Sequence, residues 1–262
     1  MNSAKIELLD IFSYSCMNCL RSLEYIGRLG GKYSKYGLKI IMVHVPEWEF
    51  EKNASNIQNA IRKYKIKFPK IIDKNRKLLK MMGVNFWPTQ ILIKDGKEIY
   101  RHTGEGNYRL LEHKIRKELK INKNELLFKT EPKYSKYPAV YAGSRKKGKV
   151  VELKDEEMVN FGIIYAKGAF LQRKECLVSL GNGLIKIKTK GKMTNIVAGP
   201  LVKKSVTIQL QYNYAKNKKP NKKAIRINAP RLYNLIKSKS NNHKVLEIET
   251  DKGLAVYSFS FQ

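Results

Sequence analysis

Two cysteines separated by two residues, Cys16-Met17-Asn18-Cys19, stand between a short apolar run and a stretch with helical spacing, and nothing constrains this chain more. The run Ile6–Phe12 reads as a buried strand. Leu20, Leu23, Ile26 and Leu29 then recur at helical intervals, up to Gly30-Gly31. Both sulfurs therefore fall in the first turn of a helix, where unpaired backbone N–H groups and the positive end of the dipole favour a thiolate. Cys16 is expected to be the exposed attacking thiolate, and Cys19 the resolving thiol that collapses a mixed disulfide.

Zinc would need four ligands. The third cysteine, Cys176, lies in the other half of the chain, and His44, His102, His113 and His243 are scattered. No metal is expected, and no cofactor beyond a redox-active Cys16–Cys19 disulfide. Three cysteines are also too few to staple a small scaffold. Cys176, in the apolar run CLVSL, reads as a buried inert thiol.

Strand and helix patterns alternate up to about residue 121. Leu38–Val45 is a second buried strand. Asn53 or Ser55 caps a helix through Ile57, Ala60, Ile61 and Tyr64. Phe68–Ile72 reads as a short strand and Leu78–Met82 as a short helix stopped by Gly83. Thr89–Ile93 meets Glu98–His102 across the turn Asp95-Gly96, and a last helix carries Leu110, Leu111, Ile115 and Leu119. The order β-α-β-α-β-α-β-β-α implies a mixed sheet flanked by helices, parallel except at the terminal hairpin.

Residues 122–148 are polar, with Pro132, Pro138 and Gly143, and read as a linker or strap. Residues 149–262 alternate at period two: Ile185 and Ile187, Val206, Ile208 and Leu210, Leu246 and Ile248, then Tyr257, Phe259 and Phe261. So many half-buried antiparallel strands point to an all-β sandwich or jelly roll. Within it, the stretch from Pro230 to Lys237 reads as the one helical turn. Tyr212, Tyr214 and Tyr233 are candidates for a sugar-stacking platform, against the alternative of ordinary strand packing. Lys186, Lys188, Lys190 and Lys192 line one strand face, as an anionic glycan contact or a solvated face.

Charge excludes less than it suggests. The 53 Lys and Arg exceed the 22 Asp and Glu by 31. A surplus of that size attracts polyanions, yet a lysine-rich compositional bias produces it equally, and nucleic acid is not the expected partner. No run is long and apolar enough to span a membrane. The stretch Met1–Asp10 shows no signal-peptide pattern, which on residues alone places the chain in the cytoplasm.

Glu47 follows the second strand and Pro46. It reads either as a partly buried carboxylate that relays the Cys19 proton or as a surface glutamate beside Glu49 and Glu51. Pro88, in Trp87-Pro88-Thr89, reads as a cis-proline or as a trans-proline opening a strand.

The segments FSYSCMNCLRSLEYI (12–26), VHVPEWEFEKN (43–53), FWPTQILI (86–93) and HTGEGNY (102–108) together resemble the TlpA/ResA-like thioredoxin family, within it the soluble part of DipZ-type proteins (CcdA–thioredoxin fusions). The likeness continues through PAVYAGSRK (138–146), APRLYNLI (229–236) and KGLAVYSFSFQ (252–262), which resemble that group's carbohydrate-binding-module-like jelly roll. The resemblance implies a thioredoxin-like fold, thiol–disulfide exchange by Cys16 and Cys19, a cis-proline at Pro88 and a carboxylate near the dithiol at Glu47. Trp87, Met17, Asn18 and Thr89 then line the substrate groove. It also implies protein disulfide substrates, reductase or isomerase activity, an extracytoplasmic location, and electrons from a separate CcdA-like membrane donor. Glycan contact through the β-domain is a further implied partner. The contrasting expectation is a non-catalytic binding protein, whose basic β-domain engages polyanionic glycan or nucleic acid.

Overall fold

A computed structural model describes residues 5–122, 126–131, 134, 137–154, 158–212, 220–238 and 244–262. The chain divides into two units, Met1–Tyr134 and Ser135–Gln262.

In the first unit, β1 (Ile6–Phe12) is buried along nearly its whole length, as an apolar run without alternation requires. It pairs in parallel with β2 (Leu38–His44), and β2 in parallel with β3 (Lys70–Ile72). On its other side β1 pairs antiparallel with β4 (Thr89–Lys94), which turns through Asp95-Gly96 into β5 (Lys97–Thr103). The order is β3-β2-β1-β4-β5, the mixed sheet expected from the sequence. Its helices are α1 (Met17–Tyr33), α2 (Ala54–Lys63), α3 (Lys77–Met81) and α4 (Tyr108–Glu118). Asn53 caps α2 through its side chain, which accepts from Asn56 N at 3.1 Å.

Two boundaries differ from the sequence reading. The first helix does not stop at Gly30-Gly31 but continues to Tyr33. Gly30 serves packing there: a Cβ on it would lie 2.4 Å from the Phe68 ring. Phe68, expected in a strand, instead fills this space, and β3 begins only at Lys70.

The strap expected over 122–148 is shared between the units. Phe128 is buried in the first core with Leu127 packed beside it, and the Glu112 carboxylate on α4 accepts from the backbone N–H groups of both. At the other end, β6 (Val140–Tyr141) already pairs with the last strand, β15 (Leu254–Phe261). Apolar residues in a polar stretch thus dock on whichever core is near.

The second unit is all-β, as expected. A path β12-β11-β14-β9-β15-β10-β13 joins β9 (Leu177–Thr189), β10 (Met193–Pro200), β11 (Val206–Tyr212), β12 (Asn221–Ile227), β13 (Arg231–Lys237), β14 (Lys244–Thr250) and β15. β7 (Val150–Glu152) and β8 (Ile164–Gln172) add beside β9. One core holds Ile185, Ile187, Ile208, Leu210, Leu246, Ile248 and Phe259, the residues that the period-two pattern turns inward.

The stretch read as a helical turn is strand β13. Tyr233 and Leu235 point into the core with Asn234 outward between them, and β13 pairs antiparallel with β10 across a bulge at Thr194/Asn195. Tyr233 is buried, which leaves it no free stacking face, and Tyr212 is partly buried against the core. Tyr214 and His243 lie outside the described residues. Only Lys186 and Lys188 of the lysine row are within β9, and Lys186 is paired with Glu247 at 2.8 Å.

Candidate active site

The site begins where β1 ends. Its last residues lead into Ser13, Tyr14 and Ser15, all buried, and the chain then turns into α1 with Cys16 as the N-cap. Cys16 has extended backbone (φ −77°, ψ 118°), its N–H donates to Ser13 O at 3.2 Å, and its Sγ accepts the Cys19 N–H at 3.4 Å. The sulfur thus takes up one of the four N–H groups that a helix start leaves unpaired. Both cysteines are free thiols. Cys16 is partly exposed and Cys19 is completely buried. Burial pushes the Cys19 thiol well up, and hydrogen bonding and charge at Cys16 and the Asp10 charge add to this. The arrangement puts one accessible sulfur and one shielded sulfur in a single helical turn.

Of the residues between them, Asn18 is exposed and Met17 partly exposed. Arg21, one turn on, donates to Asn18 Oδ1 at 2.5 Å and makes a two-point pair with Glu105, at 2.7 and 2.6 Å. The motif's own side chain is therefore braced against the loop between β5 and α4.

The second wall comes from the start of β4. The Trp87–Pro88 peptide bond is cis. Thr89 stands opposite Ile11 of β1, which sets Pro88 beside the end of β1 where the dithiol segment departs. Thr89 is buried and its hydroxyl donates to Phe86 O at 2.7 Å, whereas Phe86 itself is 70% exposed. Pro88 O accepts from Gly104 N at 2.8 Å.

Glu47 is 8% exposed and accepts from the Trp87 indole N–H at 3.4 Å. Arg76 lies over the Trp87 ring, 5.4 Å from its centroid, and donates to Pro46 O. Glu47 is thereby brought to the wall that holds Trp87 and Pro88.

Two further carboxylates belong to the site, and sequence reasoning passed over both. Asp10, in the middle of β1, is completely buried, and Gln90 Nε2 on β4 donates to its Oδ1 at 2.7 Å. Burial pushes its pKa up to about 7, against the Gln90 hydrogen bond that lowers it. Its charge reaches Cys19. The signal was an acid at the inner end of the strand Ile6 to Phe12 (IELLDIF), flanked by Leu8, Leu9, Ile11 and Phe12, where a buried strand has no solvent to offer it. Glu51, grouped with the exposed Glu49 as a surface residue, is completely buried. In the second unit Cys176 is buried and free, with its pKa pushed up to about 11 by burial.

Known protein families match both units of the chain. The redoxin family matches residues 5–119, and the family described as thioredoxin like C-terminal domain matches residues 139–261. DipZ of Mycobacterium bovis is 33% identical over 114 residues, 43% of this chain and 16% of that protein. Human NHL repeat-containing protein 2 is 36% identical over 105 residues, 39% of this chain and 14% of the relative. Thiol-disulfide oxidoreductase ResA of Bacillus thuringiensis is 33% identical over 110 residues, 42% of this chain and 61% of ResA. The chain thus spans less than two thirds of each of these relatives. With a redoxin match over residues 5–119 followed by a thioredoxin-like C-terminal match over residues 139–261, the chain resembles the TlpA/ResA/DipZ-like thioredoxin proteins.

Proposed function

We propose that this chain is a thiol–disulfide oxidoreductase that reduces or isomerises protein disulfides outside the cytoplasm, using Cys16 and Cys19. The observation that carries the reading is the N-cap position of Cys16. Its partly exposed sulfur accepts the Cys19 N–H, while the Cys19 sulfur is buried beneath it.

The chemistry follows in two displacements. The Cys16 thiolate attacks one sulfur of a substrate disulfide. A mixed disulfide forms, and the other substrate sulfur leaves with the bonding electron pair and takes a proton from water. Cys19 then gives its proton to the Asp10 carboxylate and attacks the Cys16 sulfur. The second substrate sulfur departs as a thiolate, leaving a Cys16–Cys19 disulfide; the substrate has gained two electrons. A base with pKa near 7 can accept that proton at neutral pH and return it later. Glu47 and Trp87, joined by their hydrogen bond, flank the substrate strand with Pro88, Met17 and Asn18, whereas Thr89, expected in the groove, is buried and holds the strand that carries Pro88. A separate dithiol donor, CcdA-like by family, would then reduce the pair again.

Trapping tests this. In Cys19→Ser the first step proceeds and the second cannot, so substrate proteins accumulate covalently on Cys16; Cys16→Ser should trap none. Full disulfide-reductase activity in Cys16→Ser would sink the reading. A redox titration gives the direction of exchange: a potential near about −270 mV indicates a reductase, and one near about −120 mV an oxidant.

A further inference from the structure

The two loops that build the site are joined by a side chain that touches neither sulfur. Glu51 lies in the 3-10 turn Glu49–Lys52, and its carbonyl oxygen is 3.1 Å from His44 Nε2 at the end of β2, which anchors its backbone. One carboxylate oxygen accepts from Ser13 Oγ at 2.8 Å and from Ser15 N at 3.0 Å. The other accepts from Trp48 N at 3.3 Å and from Glu47 N. Four donors use the lone pairs that two carboxylate oxygens offer.

The donors fall into two sets with different destinations. Ser13 and Ser15 flank Tyr14 in the segment that runs directly into Cys16, and Ser13 O receives the Cys16 N–H. Glu47 and Trp48 begin the loop whose carboxylate holds the Trp87 indole beside Pro88. A single anion thus ties the attacking cysteine's loop to the loop that carries the second wall. The anion is costly to hold there: burial pushes its pKa up, opposed by its hydrogen bonds to Ser13, Ser15, Glu47 and Trp48. Tyr14 already joins the same loops more cheaply, through a ring contact with Phe50 at 6.1 Å and a hydroxyl bond to Phe50 O at 3.5 Å. Holding the loops together therefore does not by itself require a buried charge. What the charge adds is direction, since charge-assisted bonds are short and fix each donor in place.

We propose that Glu51 is a positioning residue for the thiol–disulfide chemistry: its carboxylate fixes Ser13 and Ser15 so that Cys16 keeps the N-cap geometry in which its sulfur accepts the Cys19 N–H. The inference rests on the oxidoreductase reading above. It extends that reading to a residue that meets no substrate and no reacting atom.

Glu51→Gln keeps one acceptor oxygen but turns an amide NH2 toward two N–H or O–H donors, so one of the two loops is released. Ser13→Ala removes a single donor and leaves the carboxylate in place. Both are made in the full chain and assayed with a small aromatic disulfide, 5,5′-dithiobis(2-nitrobenzoate), and by equilibration of the dithiol against glutathione. A displacement of about 1 Å at a reacting group costs about 100-fold in rate, so Glu51→Gln is expected to slow the first attack by about 10- to 100-fold. Weakening the N-cap removes stabilisation from the reduced form. The dithiol–disulfide equilibrium should shift about tenfold toward the disulfide, making the potential about 30 mV more negative. Ser13→Ala should move both quantities the same way by a smaller amount.

A merely structural role would lower the melting temperature and leave the potential of the folded variant unchanged. The proposal is overturned if folded Glu51→Gln keeps the native rate and potential. Should that variant not fold, Ser13→Ala decides, and native values in it are equally fatal. Cys16→Ser in the same assay separates the two failures. If it reacts like the native chain, the oxidoreductase reading is lost; if it is dead while Glu51→Gln is native, only the role of Glu51 is lost.

Discussion

The two units bury their polar groups in different ways. The first holds Asp10, His44, Glu47, Glu51, Asp73 and Glu112 inside, whereas the buried polar side chains described in the second are Ser179, Thr189, Thr194, Asn195, Thr250, Ser258 and one lysine, Lys244. Hydroxyls and amides can satisfy themselves against backbone at small net cost, as Ser179 does with the carbonyl of Asp251 at 2.7 Å and the N–H of Leu254 at 2.9 Å. A buried carboxylate costs much more, because its charged form loses water. The second unit has spent its interior on packing. The first accepts a charge penalty, and two of its acids, Asp10 and Glu51, lie against Cys19 and the segment that leads into Cys16. That is the distribution expected where perturbed proton affinities serve chemistry.

Removing the most perturbed acid is the strongest way to break the contrast. Asp10 binds its proton more tightly in the folded chain, at about 7, than the ordinary aspartate value of 3.8. Between those two values the native state holds more protons than the unfolded state, so this group's contribution makes stability fall as pH rises through the interval. Above about pH 7 the loss is complete. Roughly three pH units correspond to about 4 kcal/mol, an order-of-magnitude figure. Asp10→Asn should recover a large part of it, raising stability at pH 8 while changing little at pH 4, as urea unfolding at the two pH values would read. The same variant should slow release of trapped substrate from Cys16, since Cys19 loses its base. If stability at pH 8 does not change, the buried-charge account of the first unit is wrong.

The matching test in the second unit carries a smaller effect. Tyr233 is buried there, and its hydroxyl donates to Ala229 O at 2.7 Å and accepts the N–H groups of Asn228 and Ala229, both at 3.1 Å. Tyr233→Phe leaves those two N–H groups without their acceptor, at a cost of about 1–3 kcal/mol. These partners are all backbone groups, so the loss should be the same at pH 5 and pH 8, and the rate of disulfide exchange should not change. A pH-dependent loss would show that the second interior does not rely on backbone-satisfied hydroxyls in the way described above.

The sequence made the apolar framework readable and left the charged interior mostly hidden. Strand β1, the first turn of α1, the Asp95-Gly96 hairpin and the period-two strands follow from short-range patterns that no tertiary contact overrides. Cys16 and Cys19 were found because their spacing and the flanking strand and helix are local. Asp10 and Glu51 were not, because partners decide whether an acid is buried: Gln90 is 80 positions from Asp10, and Ser13 is 38 positions from Glu51. The same reason explains β13. Its residues Leu232, Leu235 and Ile236 suit a helical turn in isolation, and pairing with β10 makes them a strand. Gly30-Gly31 misled for a steric reason, since glycine usually marks a helix end and here one of the two sits under a ring.

That pair supplies the finest test of whether the first unit is close-packed away from its charges. Both glycines lie inside α1, where alanine is favoured over glycine by about 0.5–1 kcal/mol. A Cβ on Gly31 meets nothing within 4 Å, so Gly31→Ala should stabilise the chain by about that amount. A Cβ on Gly30 would lie 2.4 Å from Phe68 Cζ and 3.0 Å from Ile40 Cδ1, both in the core. Overpacking of that kind costs about 1–3 kcal/mol, which exceeds the gain in helix propensity. Gly30→Ala should therefore lower the melting temperature while its neighbour raises it. Equal shifts of one sign in both variants would mean that the Phe68 ring moves aside freely. The first unit would then be loosely packed beneath the helix that presents its cysteines.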